Sequence, residues 1–405
     1  MKLYRSIIIA GIGLLMPIAA LAREAQDALA TFIKGNGAPE KSVAVKIIDL
    51  SDNSVVAAHN ASTPLVPASI MKSVTTAALL EETGPDWRYH TRVYVDGPND
   101  LGFLRGNLII EGACDPTINS DKEPYSLDLI EEITTALSNQ LIKHIEGSII
   151  IDERNFAGAP HPESWAKEDR NKYYGTGSHA FNYSDNSRGD FAVKDPASQF
   201  TTLLKTHLTD NGIQIDDKAI PEGSRIQIHD HLSAPIDEIM RSCMMRSDNL
   251  FAESMLRTYG KIKGNDGSIT QAAKTEMLLW EQKKLPLEGV EIIDGSGLSR
   301  SNRVTADFMA ELLKNMSNNP NYASFFPLAG QEGTLKKFLV DTALDSYVAM
   351  KTGSMRGIQC YAGYKLDDDY MPTHVIVIIM NDIPPKRNNT KRAAEQLLLS
   401  IFSNE

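Results

Sequence analysis

Alternation of apolar and polar positions marks two short strands early in the chain, Val43 to Leu50 and Ser54 to His59, with Ser51-Asp52-Asn53 as the turn between them. A loop, Pro64-Leu65-Val66-Pro67-Ala68, leads into a pattern of helical period from about Ser69 to Thr83. Met71, Val74, Ala78 and Leu79 supply its apolar stripe, Pro67 precedes its first turn, and Gly84-Pro85 stops it. From Tyr89 onward, strand-like runs recur at Thr91–Val95, Asn107–Glu111 and Gly147–Asp152, split by Gly, Pro and Asp turns and by a helical stretch near Leu127–Leu141. Helical patterning returns at Ile236–Met245, Leu250–Tyr259 and Ser268–Trp280. Three β-rich runs follow, Tyr347–Thr352, Ile358–Lys365 and Thr373–Met380, and a closing helix, Thr390–Phe402.

Two strands near the start, three near the end and a terminal helix predict an α/β fold: one antiparallel sheet flanked by helices, with the middle of the chain inserted between its halves. The expected segments are 23–88 and 232–405 for the discontinuous main domain and 89–231 for a mostly-β insertion. Residues 1–22 stand apart. Lys2 and Arg5 precede an apolar run from Ile7 to Ile18, and Ala20-Leu21-Ala22 follows as a small-x-small cleavage site, the pattern of an export signal cut near Ala22. No later apolar run is long enough to cross a bilayer, so the mature chain is expected to carry no transmembrane anchor and to reside in the periplasm or cell envelope. Composition refines this little. The 405 residues carry a net charge of −11, which argues against a nucleic-acid partner. Three widely spaced cysteines, Cys114, Cys243 and Cys360, cannot build a disulfide framework.

Chemistry enters with Ser69-Ile70-Met71-Lys72, which puts a hydroxyl and an amine on one helical face. Lysine serves as a base only when burial or a second cation lowers its pKa. The spacing alone is weak, because Ser164-Trp165-Ala166-Lys167 shares it and Ser69 could simply cap the helix. Ser-Asp-Asn occurs at 51–53, 184–186 and 247–249; these are turn-forming residues, and only Ser247–Asn249 joins two amphipathic helices. Lys351-Thr352-Gly353-Ser354 occurs once, at a strand end, where a cation, a hydroxyl and a bare backbone suit an extended peptide and its carboxylate. In this order the three elements match the signature of penicillin-recognising serine acyltransferases.

The wider sequence resembles the class C low-molecular-mass penicillin-binding proteins, which are D-alanyl-D-alanine carboxypeptidases and endopeptidases. The resemblance rests on Pro67–Lys72, Leu108–Pro116 (with Ala113 and Cys114 where glycines are usual), Arg246–Glu253, Asp294-Gly295-Ser296-Gly297-Leu298-Ser299-Arg300, Leu328–Leu335 and Lys351–Gly357. It implies a penicillin-binding, β-lactamase-like domain built on a five-stranded antiparallel sheet. It also implies an inserted β domain holding a nested third domain. Here the chain departs, for between Asn186 and Phe191, where the nested domain usually sits, only a few residues remain.

The implied reaction cleaves the D-Ala-D-Ala end, or a D-Ala cross-link, of a peptidoglycan stem peptide and needs no cofactor. Ser69 is the implied nucleophile, Lys72 its base (kept neutral by Lys351 and desolvation), and Ser247 the proton relay. Asn249, which would also orient Lys72, and Lys351, Thr352, Gly353 and Ser354 are the implied substrate-binding residues, and β-lactams should trap Ser69 as an ester. Asp152 is a candidate partner for the stem-peptide amine. A β-lactamase would need a deacylating Glu-x-x-Leu-Asn loop, and the nearest string, Glu311 to Asn315, reads as helix. A non-catalytic binder of the same fold would be expected to lack Ser69, Lys72 or Lys351. His229-Asp230-His231 is read as solvated loop and not as a metal site, and Asp294–Gly297 as a tight turn near the cleft.

Overall fold

The computed structural model describes residues 23–122, 128–385 and 388–402, so the export-signal segment lies outside the described residues. The chain forms two compact units: Met1–Ile70 with Lys284–Glu291 and Asn302–Glu405, and Met71–Lys283 with Ile292–Ser301. The division falls between Ile70 and Met71, so the helices of the expected main domain group with residues 89–231.

The first unit is built on five strands: β1 (Val43–Asp49), β2 (Val55–His59), β13 (Val348–Met355), β14 (Ile358–Leu366) and β15 (Pro372–Met380). They form one sheet in the order β13-β14-β15-β1-β2. Every neighbouring pair is antiparallel. Chain start and chain end meet at its centre, Val45 opposite Ile378 and Ile47 opposite Ile376. On one face Val43, Val45, Ile47, Ile376, Ile378 and Met380 pack with Ala25, Leu29 and Phe32 of α1 (residues 23–35) and with Ala394, Leu397, Leu398 and Ile401 of α9 (Asn388–Phe402). The alternate residues turn to α8 (Ala306–Met316), where Lys46 pairs with Asp307 at 3.0 Å and the Tyr364 hydroxyl donates to the Leu313 carbonyl at 2.8 Å. With both faces covered, β15 is buried from Val375 to Met380 without a polar alternation.

The second unit has two parts. Its helical part comprises α2 (Met71–Thr83), α5 (Ile236–Arg246), α6 (Asn249–Ile262) and α7 (Ile269–Gln282). Ten consecutive residues of α2, Met71 to Leu80, are buried, so this is a central helix enclosed on all sides and not the one-faced helix that its apolar stripe suggests. The other part carries short strands: β3 (His90–Val95), β4 (Asn99–Asp100), β5 (Phe103–Leu104), β6 (Leu108–Glu111), β7 (His144–Ile145), β8 (Ile149–Asp152), β9 (Ser187–Arg188), β10 (Phe191–Ala192), β11 (Gln214–Ile215) and β12 (Ile226–Leu232). They make sheets of order β12-β3-β6-β8 and β11-β7-β5-β4 and the hairpin β9-β10. That hairpin lies where the resemblance places a nested domain and where this sequence leaves only a few residues. Two helices pack here, α3 (Leu129–Asn139) and α4 (Pro196–Asp210). The strand-oriented sequence reading omits α4, although Asp195 caps it by accepting the Ser198 N–H, Pro196 opens it, and Phe200, Leu204 and Leu208 line its buried face.

Candidate active site

In the first unit, a 3₁₀ turn over Ala68–Ile70 carries Ser69. Ala68, just before the serine, adopts φ 48°, a left-handed conformation that costs an alanine about 1–3 kcal/mol and that surrounding structure must enforce. Strand β13 supplies that support. A Cβ placed on Gly353 would lie 2.6 Å from the Pro67 carbonyl oxygen and 3.2 Å from the Ile70 nitrogen, so only glycine lets the strand press against the serine turn. The Cys360 thiol, opposite Gly353 on β14, lies 3.7 Å from the Val66 carbonyl and closes the same contact. Lys351 is fully buried, its ammonium donating to the Thr352 carbonyl at 2.8 Å, whereas Ser354 is exposed. Ser69 and the Lys351–Ser354 strand, separate in sequence, are thus neighbours.

In the second unit, Lys72 is completely buried at the start of α2. Its Nζ donates to Asn249 Oδ1 and to the Ser296 carbonyl, each at 2.7 Å. Burial pushes the Lys72 ammonium below the ordinary lysine range, against the opposing pull of Cys243, Asp248, Asp294 and Glu253.

The Ser247–Asn249 turn is a two-helix joint. Ser247 ends α5 in the left-handed conformation (φ 59°, ψ 43°). Asp248 caps α6 by accepting the Phe251 N–H at 3.0 Å, and Asn249 is the first residue of α6. Each residue type follows from its place: one must tolerate positive φ, one must cap, and one projects from the first turn. Asn249 is fixed by a second bond, Nδ2 to the Tyr174 carbonyl at 2.7 Å.

Sequence reasoning gave no role to two residues that support this arrangement. Glu253 lies one helical turn beyond Asn249 and is fully buried, accepting the N–H groups of Gly295 at 3.2 Å and Ser296 at 2.9 Å. Burial and the neighbouring Asp294 raise its carboxyl above the usual range. The i, i+4 spacing from Asn249 was a readable signal. Lys122 is the other. It bonds Asp248 at 2.5 Å and Asp185 at 3.3 Å, one cation shared by the Ser-Asp-Asn turns at 184–186 and 247–249.

The Asp294–Arg300 loop is a tight turn wound around the Asp294 carboxylate, which accepts the N–H groups of Gly297 and Ser299 and the Trp165 indole N–H. It contributes a backbone carbonyl to Lys72, while the buried Ser296 hydroxyl accepts the Leu298 N–H. The competing Ser164–Lys167 string is not helical, and Lys167 is exposed.

One expectation is corrected, that for His229 and His231, and one residue gains unforeseen partners. Asp152 is already paired with cations: Arg154 reaches both its oxygens at 2.8 Å and Arg225 donates at 2.6 Å, holding the acid far below the usual carboxylate range. His229 and His231 are not in a solvated loop. They lie on β12, and both contact one oxygen of Glu132, at 2.7 and 2.8 Å; the partner missing from the local sequence comes from α3. Among the described residues no group of three or more His, Cys, Asp or Glu is arranged to hold a metal ion. The three cysteines are buried thiols outside any disulfide, and burial pushes the Cys360 thiol up to about 12.

A model of the D-Ala-D-Ala carboxypeptidase 3 (S13) family matches residues 25–190 and 177–400. The chain is 27% identical over 223 residues to penicillin-sensitive carboxypeptidase A of Dictyostelium discoideum, covering 52% of this chain and 43% of that one. To the D-alanyl-D-alanine carboxypeptidase DacB of Haemophilus influenzae it is 24% identical over 396 residues, covering 78% and 80%. The crystal structure of penicillin binding protein 4 (dacB) from Haemophilus influenzae superposes with a TM-score of 0.78 at 19% identity, covering 94% of this chain and 98% of that one, a likeness of fold.

Proposed function

The chain belongs to the D-Ala-D-Ala carboxypeptidase 3 (S13) family, and from that premise we propose that its reaction runs through an acyl ester on Ser69. It is a serine-type hydrolase of the D-Ala-D-Ala carboxypeptidase and endopeptidase class. The substrate in this reading is the D-Ala-D-Ala terminus, or the D-Ala cross-link, of a peptidoglycan stem peptide, and β-lactams acylate the same serine. The observation that carries the reading is the buried Lys72 amine, held by Asn249 Oδ1 and the Ser296 carbonyl and positioned three residues after Ser69.

A neutral amine has two N–H donors and one lone pair. With the donors directed at Asn249 and Ser296, the lone pair takes the Ser69 proton as the hydroxyl attacks the penultimate carbonyl. The N–H groups of Ser69 and Ser354 would bind the developing oxyanion, and Ser247 would return the proton to the leaving amine. Lys351 would supply positive potential, Gly353 the close approach, and Thr352 with Ser354 the hydroxyls for the terminal carboxylate. Water then cleaves the ester and frees Ser69.

Residues 89–231 are proposed as an insertion into a main domain of residues 23–88 and 232–405. A separate hydrophobic core supports this, drawn from Val93, Leu108, Ile110, Ile133, Phe200 and Leu204 among others. Export with cleavage near Ala22 is part of the same reading. Among the described residues no helix is long and apolar enough to cross a membrane.

The test is intact-protein mass after incubation with benzylpenicillin, wild type beside Ser69→Ala. A single adduct on wild type, absent from the variant, is the expected result. No adduct with intact penicillin would indicate a non-catalytic binder, and fast conversion to penicilloic acid without an adduct would indicate a β-lactamase.

A further inference from the structure

The hydroxyl-bearing face of β13 opens into a cavity of about 840 Å³, of whose lining the reaction scheme above uses only Thr352 and Ser354. Thr352 and Ser354 line it, together with Lys337, Lys391, Arg392 and Glu395. All of these belong to the first unit, so the cavity is formed within one body of the fold. Its volume falls in the range of about 300–1,000 Å³ typical of pockets that enclose a whole ligand. A single departing alanine would leave most of that space to water.

Charge gives the cavity its chemical character. Lys391 and Glu395 pair at 3.6 Å, Glu395 also accepts the Leu339 N–H at 3.0 Å, and the Lys391 ammonium donates to the Lys337 carbonyl. Those two charges offset one another, which leaves the cationic side chains of Lys337 and Arg392 in excess, both exposed. An excess of cations is a local inversion in a chain whose net charge is −11. Such a pocket draws an anion by complementarity that acts at contact range.

We propose that this cavity is a subsite for the leaving group, and that it selects an acidic peptide over a lone D-alanine. The proposal rests on the acyl-serine reading, in which Thr352 and Ser354 hold the carboxylate of the departing residue. Whatever is attached to that residue then extends into the space those two hydroxyls border. In a cross-linked substrate the leaving group is a second stem peptide, which is extended and rich in carboxylates. The cavity therefore favours endopeptidase over carboxypeptidase cleavage.

The test compares kcat/KM for an acyl-D-Ala-D-Ala monomer and for a purified cross-linked muropeptide dimer. Wild type, Lys337→Glu, Arg392→Glu and the double variant are measured, with benzylpenicillin adduct formation on each as proof of an intact fold. The dimer-to-monomer ratio should fall on the order of tenfold in the double variant, as expected for two exposed charges reversed, and the loss should shrink at high salt. Lys337→Arg should keep the ratio, a rescue that a purely structural role would not require. If the double variant forms the adduct and retains the wild-type ratio, the subsite is wrong while the Ser69 reading stands. A wild type that hydrolyses monomer but not dimer overturns the subsite equally. A wild type that forms no adduct overturns both.

Discussion

Gly353→Ala tests whether the substrate strand sets the position of the nucleophile. The added methyl would sit 2.6 Å from the Pro67 carbonyl oxygen, short of the 3.4 Å at which ordinary contact begins by about 0.8 Å, and 3.2 Å from both the Ile70 nitrogen and the Cys360 Cβ. Two of these three neighbours are backbone atoms of the segment flanking Ser69, so no side-chain rotation relieves the overlap. Either β13 shifts away from β14, where Gly353 pairs with Cys360, or the serine turn is displaced by several tenths of an ångström. Overpacking of this kind costs about 1–3 kcal/mol of stability. Displacing a nucleophile by a comparable distance lowers its rate by about 10²-fold. The assay is the second-order rate of benzylpenicillin acylation, read beside thermal melting. Gly35→Ala is the matched control, because a Cβ there meets nothing within 4 Å. Gly353→Ala should melt lower and acylate about a hundred times more slowly. Acylation at the wild-type rate would show that the strand does not hold the turn, and the argument from contact would fail.

Three further outcomes are expected. Burial lowers the Lys72 pKa, so the acylation rate should rise with pH through a limb below the ordinary lysine value of 10.5; a limb at or above that value would refute a buried base. Glu253→Ala strips acceptors from two buried N–H groups, each about 1–3 kcal/mol to leave unmet, and should slow acylation at least about tenfold, whereas Glu253→Gln, which keeps volume and one acceptor, should be mild. Equal rates for Ala and Gln would remove Glu253 from the positioning of the Ser296 carbonyl. Hydrogen bonding to Glu132 and the fields of Asp115 and Asp230 outweigh burial and raise the His231 pKa above 6.5. The sign follows: that stabilisation is complete below pH 6.5 and is lost as pH rises through the folded value. The melting-temperature deficit of His231→Gln should therefore be larger at pH 5.5 than at pH 9, and a pH-independent deficit would contradict it.

Legibility in the sequence depended on how local each cause was. The strands of the first unit were readable because β1, β14 and β15 are mostly apolar runs bounded by turns that the sheet buries on both faces, while β13 opens on Val348-Ala349-Met350 before its polar Lys351–Ser354 stretch. The roles within Ser247–Asn249 were readable as turn chemistry, whereas a bond from Asn249 to Lys72 was implied only by the family resemblance, because it depends on packing between α2 and α6. The partners of Asp152 were only half legible: Arg154 is two residues on, whereas Arg225 is 73 residues away in sequence. Glu132 was invisible to the histidines for the same reason, being 97 and 99 residues away. Helix α4 was the avoidable miss, since its cap, its proline and its stripe are all local.

The Lys122 bridge makes residues 89–231 a poor candidate for modular exchange. Asp185 and Asp248 share that one ammonium, which lies 5.9 Å from the centre of the Phe251 ring. Excising residues 89–231, or grafting them onto another scaffold, removes the ammonium that Asp248 pairs with while it caps α6. A chimera that trims or replaces residues 89–231 should therefore change position 248 in the same step.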